Sequence, residues 1–412
     1  MLDNKKEPYW IILADAQLGS IHWQNLLREE DYYRAFQTQC RKAAECTQCL
    51  GIIGLGDLRE RTSLQAKNLG GLNRGLQILS NANKPLLALM GNHDFTVPNW
   101  IEEMCYPSLK NLADPEVQKA HGFNPSTTLA LHFTQKSQIL AKIKESNPEN
   151  LELIFLHQSL KELTTNLRQS YDLSLEDLQE LGVGKNKECL IFLGDLHNYG
   201  DASLNRITAA YPGSLEMTDI NEGTNGLKTN KIASGPHDYR KFVIHYQPES
   251  QEWEPVAIQP RPWMRLKAKT EKEAQAAIRN LKKEATQWEN PGCVLITCPK
   301  TQMENMREAI KTINTLEARV EEYQKETEES LSEETTTTSL SWKQNKQELE
   351  TLASSQLDTE CLTLLQEIIK RDGATHNPKN DILAAWNQWF ELETPVTTPV
   401  TTPETLPINF AQ

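Results

Sequence analysis

The sequence predicts an α/β protein in which two β-sheets pack between helices. A small β-α-β-α cap domain and a pair of C-terminal helices on a linker follow. Three observations carry this prediction. Short apolar runs alternate with helical patterns from residue 9 to about 260. Five of those runs end in Asp, Asn, Gln or His, the residue types that build sites beyond the strand ends of open sheets. A Glu- and Thr-rich stretch then separates the folded part from the last helical patterns.

The elements follow in order. Trp10-Ile11-Ile12-Leu13 reads as the first strand and leads into Asp15-Ala16-Gln17. A helix is predicted from Gln24 to Leu50, then a strand over Gly51-Ile52-Ile53-Gly54-Leu55 ending in Gly56-Asp57. Leu64, Leu72, Leu76 and Leu79 predict a helix over Ser63 to Asn81, although Gly70, Gly71 and Gly75 weaken the pattern. Leu86 to Met90 leads into Gly91-Asn92-His93-Asp94, Leu153 to Leu156 into His157-Gln158, and Cys189 to Leu193 into Gly194-Asp195-Leu196-His197. Leu129 to Phe133, Lys241 to Tyr246 and Trp253 to Ile258 read as further strands.

In the cap domain, residues 261–324, Met264 to Ala268 and Cys293 to Thr297 are expected strands. Glu271 to Trp288 and Thr301 to Gln324 are expected helices. Residues 325–342 read as a flexible linker, since Glu321 to Ser339 holds seven Glu and four consecutive Thr. Residues 343–392 supply two amphipathic helices with no core of their own, so they dock on a partner or back on the parent domain. Residues 393–412 repeat Pro-Val-Thr-Thr and form a low-complexity tail.

The 412 residues carry a net charge of −13, with the acidic excess denser beyond residue 250. That balance argues against broad non-specific binding of polyanions, but leaves room for a local basic groove or for cations that offset carboxylates. Eight cysteines without a second pair at zinc spacing suit a reducing compartment, and Cys46-x-x-Cys49 reads as a helical pair. The polar N-terminus is expected to carry no signal peptide, and no apolar run approaches membrane length. A cytoplasmic protein with no membrane contact is expected.

The five strand-end segments together suit a pair of divalent ions, which need a shared carboxylate and separate terminal ligands. Asp57 after Gly56 is the natural bridge, Asn92 offers a neutral carbonyl oxygen, His157 and His197 offer imidazoles and Asp15 a terminal carboxylate. His93 suits a proton donor to a leaving oxygen, because imidazole titrates near neutrality, and Asp94 would orient it or a neighbour. Each short match alone is weak, while all five in one order, each after a strand, argue against a merely structural origin. Arg59, Arg61, Lys67 and Arg74 read as a solvated helix face, and Trp100 and Tyr106 as buried aromatics.

These segments resemble the calcineurin-like metallophosphoesterase superfamily, whose pattern is Asp-x-His, Gly-Asp, Gly-Asn-His-Asp/Glu, His and Gly-His-x-His. Leu13 to Gly19, Phe155 to Gln158, Tyr211-Pro212-Gly213-Ser214 and Arg261-Pro262-Trp263 are similar to SbcD-type double-strand-break repair nucleases. Gln17 and Asp195 stand where that pattern has histidines. The resemblance implies one ion on Asp15, Gln17, Asp57 and His197, and another on Asp57, Asn92, His157 and Asp195. So oxygen-rich a set favours Mn²⁺ or Mg²⁺ over Zn²⁺. It further implies 3′-to-5′ exonuclease and single-strand endonuclease action on DNA, a homodimer, and an SbcC-type SMC-like ATPase bound through the C-terminal helices. Two alternatives stay open: a phosphodiesterase for nucleotides or other small molecules, and a catalytically silent DNA-end-binding subunit.

Overall fold

A computed structural model describes residues 7–21, 26–60, 66–93, 99–104, 106–164, 173–218, 241–286 and 288–322. All of these belong to one compact unit, Met1–Tyr323. The expected linker, helical segment and tail lie outside the described residues, as does Asp94.

The first half of the chain contributes strands Tyr9–Leu13 (β1), Cys49–Leu55 (β2), Leu86–Leu89 (β3), Leu109–Asn111 (β4), Thr128–Ala130 (β5) and Leu153–His157 (β6). The second half contributes Cys189–Gly194 (β7), Gly200–Leu204 (β8), Ile207–Tyr211 (β9), Lys241–Gln247 (β10) and Glu252–Ile258 (β11). Helices Leu26–Glu45 (α1), Ala66–Asn81 (α2), Trp100–Glu103 (α3), Pro115–Ala120 (α4), Lys136–Glu145 (α5) and Leu175–Glu180 (α6) connect them. One sheet runs β11-β10-β1-β2-β3-β4 and the other β5-β6-β7-β9-β8.

Alternation along the strands builds the layers, because successive strand residues face opposite sides. Trp10 and Ile12 of β1, Ile53 and Leu55 of β2, and Leu87 and Leu89 of β3 meet Phe155 and Phe192 of the second sheet between the two. Ile11 and Leu13, Ile52, and Leu86 and Ala88 face the other way, under Tyr32, Tyr33 and Phe36 of α1 and Leu72, Leu76 and Leu79 of α2. On the far side, Ile154, Leu156, Ile191 and Leu193 pack against Ile139 and Ile143 of α5 and Leu175 and Leu178 of α6. The result is the expected two-sheet sandwich between helices.

Two glycines that weaken the propensity of α2 have a packing reason. A Cβ on Gly71 would sit 2.1 Å from the Tyr33 ring, and one on Gly75 2.3 Å from Phe36, so their absence lets α1 and α2 approach closely. The helix expected to reach Leu50 stops at Glu45, where a turn carries the chain from Cys46 into Cys49 of β2. Cys46 and Cys49 therefore flank a helix-to-strand turn rather than forming a helical pair. The hairpin of β8 and β9 was not expected, since its Gly, Ala, Ser and Thr content gives no apolar run.

The cap comprises Trp263–Lys267 (β12), Glu271–Ala285 (α7), Gly292–Cys298 (β13), Met303–Lys311 (α8) and Thr315–Glu322 (β14), with sheet order β12-β13-β14. The helix expected over Thr301 to Gln324 is corrected to a shorter helix and a third parallel strand, making the cap β-α-β-α-β. The β-branched pair Thr312-Ile313 follows the end of α8. Alternation then takes over in β14, where Ala318 and Val320 pack on the cap core while Arg319 and Glu321 are exposed.

A buried charge cluster joins the cap to the larger domain. Asp31 of α1 accepts from Arg28 at 2.6 Å and from Arg261 Nε at 2.6 Å. The Glu216 carboxylate accepts from the Arg261 main-chain N–H at 3.0 Å, and Arg28 stacks over Trp263 with its guanidinium 5.1 Å from the ring centre. No described helix is long and apolar enough to cross a membrane.

Candidate metal centre

β1, β2 and β3 are parallel within the first sheet, and β6 and β7 within the second, so their carboxyl ends share one rim. The sheets are tied there by the Nδ1–H of His157, which donates to the Leu55 carbonyl at 2.7 Å. Backbone bonds lock the loops together: Asp15 N–H donates to Gly56, and Gln17 N–H to Asp57.

The ligand atoms of Asp15, Asp57 and His157 lie within 4.8 Å of one another, and all three residues are buried. Asp15 Oδ2 accepts from the Asp195 main-chain N–H at 3.2 Å, while Asp15 Oδ1 is buried with no hydrogen bond from the described residues. Such an oxygen is costly to desolvate unless a cation or proton occupies the space before it. His157 Nε2 faces Asn92 Oδ1 at 2.9 Å and Asp57 Oδ2 at 3.4 Å. The donor set therefore fits a hard divalent cation.

Backbone strain concentrates here. Asp15 (φ 49°), Gln17 (φ 44°), Asp57 (φ 48°) and Asp195 (φ 102°) all have positive φ, a conformation that costs about 1–3 kcal/mol for a non-glycine residue. Glycines make the approach possible. A Cβ on Gly91 would lie 2.1 Å from Asp57 Oδ1, and one on Gly56 2.4 Å from His157 Nδ1.

The charges divide the carboxylates. Burial raises the Asp15 carboxyl to about 6, against the pull of His157 and His197. Burial would raise Asp57 too, but His157 and the His93 N–H outweigh it and hold Asp57 below the usual carboxylate range. Burial disfavours a charged His157 ring, yet Asp57, Asp15 and Asp195 push its pKa up to about 10.

The structure brings nearly every sequence-predicted residue to this rim. Gln17 Nε2 contacts His197 Nε2 at 2.8 Å, and His197 Nε2 lies 4.0 Å from Asp15 Oδ1. The Thr218 hydroxyl meets His197 Nδ1. Asp195 acts on both Asp15 and His157 through its charge. His93 donates its main-chain N–H to Asp57 Oδ1 at 2.9 Å, and its side chain is 41% exposed. The sequence reading missed Glu60, whose carboxylate lies 3.7 Å from His93 Nδ1, and Thr218. It also misplaced Arg59, which is buried with its guanidinium 4.6 Å from the Trp100 ring centre rather than on a solvated face. Arg74 is exposed as expected, and Trp100 is buried.

No protein-family model matches the chain. It is 24% identical over 266 residues to the DNA double-strand break repair protein Mre11 of Archaeoglobus fulgidus, covering 59% of this chain and 58% of that protein. It is 25% identical over 216 residues to the protein of the same name in Methanosarcina mazei, covering 51% of this chain and 33% of that one. The chain thus matches less than two thirds of the length of either relative. A superposition on a crystallised "predicted phosphoesterase" of Streptococcus pneumoniae TIGR4 covers 61% of this chain and 98% of that one at 8% identity. Its TM-score is 0.22, too low to bear on the fold.

Proposed function

We propose that this protein is a metal-dependent phosphodiesterase that cleaves DNA, a two-ion exonuclease and endonuclease of double-strand-break repair or recombination. The observation that carries it is the buried set Asp15, Asp57 and His157, with Asp15 Oδ1 given no hydrogen bond by the described residues. DNA as the substrate draws support from the two Mre11 proteins to which the chain is similar. Mn²⁺ is the favoured ion, with Mg²⁺ second. A homodimer and an SMC-like ATPase bound through residues 343–392 belong to the same proposal.

Divalent ions at this rim would neutralise phosphate charge and lower the pKa of an attacking water. The residues divide the remaining work. Asp57 with Asp15, Gln17 and His197 would hold one ion, and Asp57 with Asn92, His157 and Asp195 the other. Asp195 adds negative charge beside Asp15 and His157. His93, half-exposed at the mouth, gives a proton to the leaving sugar oxygen, and Asp57 fixes its backbone. Asp94 follows it in the chain and orients it or a neighbour.

Linear double- and single-stranded DNA incubated with Mn²⁺, Mg²⁺ or EDTA, using wild type and His93→Ala, tests the proposal. Mn²⁺-dependent degradation lost in His93→Ala is expected. Intact DNA with Mn²⁺ bound would instead favour a small-substrate phosphodiesterase or a silent end-binding subunit.

A further inference from the structure

The carbonyl oxygen of His197 is the meeting point of an unusual set of donors. It accepts from the Ser214 main-chain N–H at 3.0 Å and from Lys241 Nζ at 2.9 Å. Lys241 Nζ also donates to Ser214 Oγ at 2.7 Å, and Ser214 Oγ donates to the Glu216 carbonyl at 2.8 Å. Lys241 is only 2% exposed. Removing an ammonium from water is expensive, so a lysine held there calls for a reason beyond strand formation. Lys241 opens β10, which runs antiparallel to β1, so its first residue lies beside the carboxyl end of β1 and the metal rim. The Ser214 segment passes so close that a Cβ on Gly213 would sit 2.6 Å from the same carbonyl.

From this geometry we propose that Lys241 is a positioning residue for the ion held by His197. The inference rests on the metal-centre reading above. Three of the other ligands are fixed by different partners: His157 by the Leu55 carbonyl, Asp57 by the His93 N–H, and Asp15 by the Asp195 N–H. His197 is held from behind by Lys241, through its own main chain. Its imidazole is steered by Thr218 on Nδ1, leaving Nε2 directed at Gln17 and Asp15. Partners of this kind set the orientation of a ligand, and their loss costs about 10–100-fold in metal affinity. Loss of Lys241 therefore acts on one ion and spares the other.

Calorimetric Mn²⁺ titration of the full chain, with electron paramagnetic resonance to count coupled manganese pairs, tests this. Wild type is measured first, and fewer than two bound ions there would overturn the two-ion centre and this assignment with it. Given two ions, Lys241→Met is expected to leave the tighter ion unchanged within about twofold. The other should weaken about 10–100-fold, with the coupled signal lost. Lys241→Arg, which keeps a cationic donor, should recover part of that affinity. Ser214→Ala removes one acceptor of Lys241, together with the hydroxyl 3.4 Å from the His197 carbonyl, and tests the same support where Lys241→Met does not fold. Wild-type affinity for both ions in folded Lys241→Met or Ser214→Ala, or equal weakening of both ions, would overturn the assignment.

Discussion

His157 Nε2 lies 2.9 Å from Asn92 Oδ1 while Nδ1–H on the same ring is committed to the Leu55 carbonyl. With Asp57 Oδ2 also 3.4 Å away, Nε2 faces oxygens that repel a bare lone pair. A proton or a metal ion standing between them relieves that repulsion.

Proton and metal therefore compete. Burial opposes the charged ring, but Asp57 and its neighbours raise the His157 pKa to about 10. A pKa raised from 6.5 gives stability that is fully present below pH 6.5 and lost as pH rises through about 10. Mn²⁺ affinity should accordingly rise with pH across that window, by about tenfold per unit for the one proton displaced. Calorimetry in buffers of different ionisation enthalpy should show a proton released on binding. A flat affinity between pH 7 and 9 would remove His157 from the ligand set.

Gly91→Ala should damage the centre without unfolding the domain. The added Cβ would fall 2.1 Å from Asp57 Oδ1 and 2.5 Å from the Asp57 main-chain nitrogen, so Asp57 must move. The expected outcome is at least about a tenfold loss of Mn²⁺ affinity, the scale of a misplaced ligand support. Circular dichroism should stay close to wild type. Unchanged affinity would mean that Asp57 is not a ligand.

Much of this was legible in the sequence, and the parts that were not have physical causes. Ile11-Ile12-Leu13 and Ile52-Ile53 announced their strands because both faces of a sandwiched sheet are apolar. The strand β14 was hidden because its outward residues are charged. Glu60 was invisible because its link to His93 depends on a loop conformation set by the Leu18 and Arg59 pairing. Lys241 read only as the first residue of a strand, since nothing local shows that its ammonium turns under the His197 loop. The positive φ of Gln17 likewise left no trace in residue type.

Gln17→His should tighten metal binding. Gln17 already sits 2.8 Å from His197 Nε2, and histidine is among the residues that tolerate positive φ. Replacing a weak amide oxygen with imidazole should raise affinity about tenfold and shift preference toward Zn²⁺. Competition between Mn²⁺ and Zn²⁺ followed by calorimetry checks this, and no change in either would place Gln17 outside the ligand set.

Asp31→Ala should be among the most destabilising single changes. It removes the carboxylate that accepts from both Arg28 and Arg261, leaving two buried guanidinium groups short of a partner between α1 and the cap. Breaking a buried pair in this way costs about 3–5 kcal/mol, read from urea unfolding. A loss below about 1 kcal/mol, the scale of a surface pair, would show that the cluster is not a structural anchor.

Glu60 and His93 should act as a pair in turnover. Glu60 meets the His93 ring twice: its carboxylate lies 3.7 Å from Nδ1, and its carbonyl oxygen lies 3.3 Å from the same nitrogen. His93→Ala is expected to lower kcat on DNA about 100- to 10,000-fold as the proton donor is lost. Glu60→Gln keeps the shape of the side chain and the main-chain contact, so a smaller fall of about tenfold is expected, with KM unchanged. The double variant should fall no further than His93→Ala alone, because Glu60 acts only through the imidazole. If the two losses multiply instead, Glu60 touches substrate or metal on its own account.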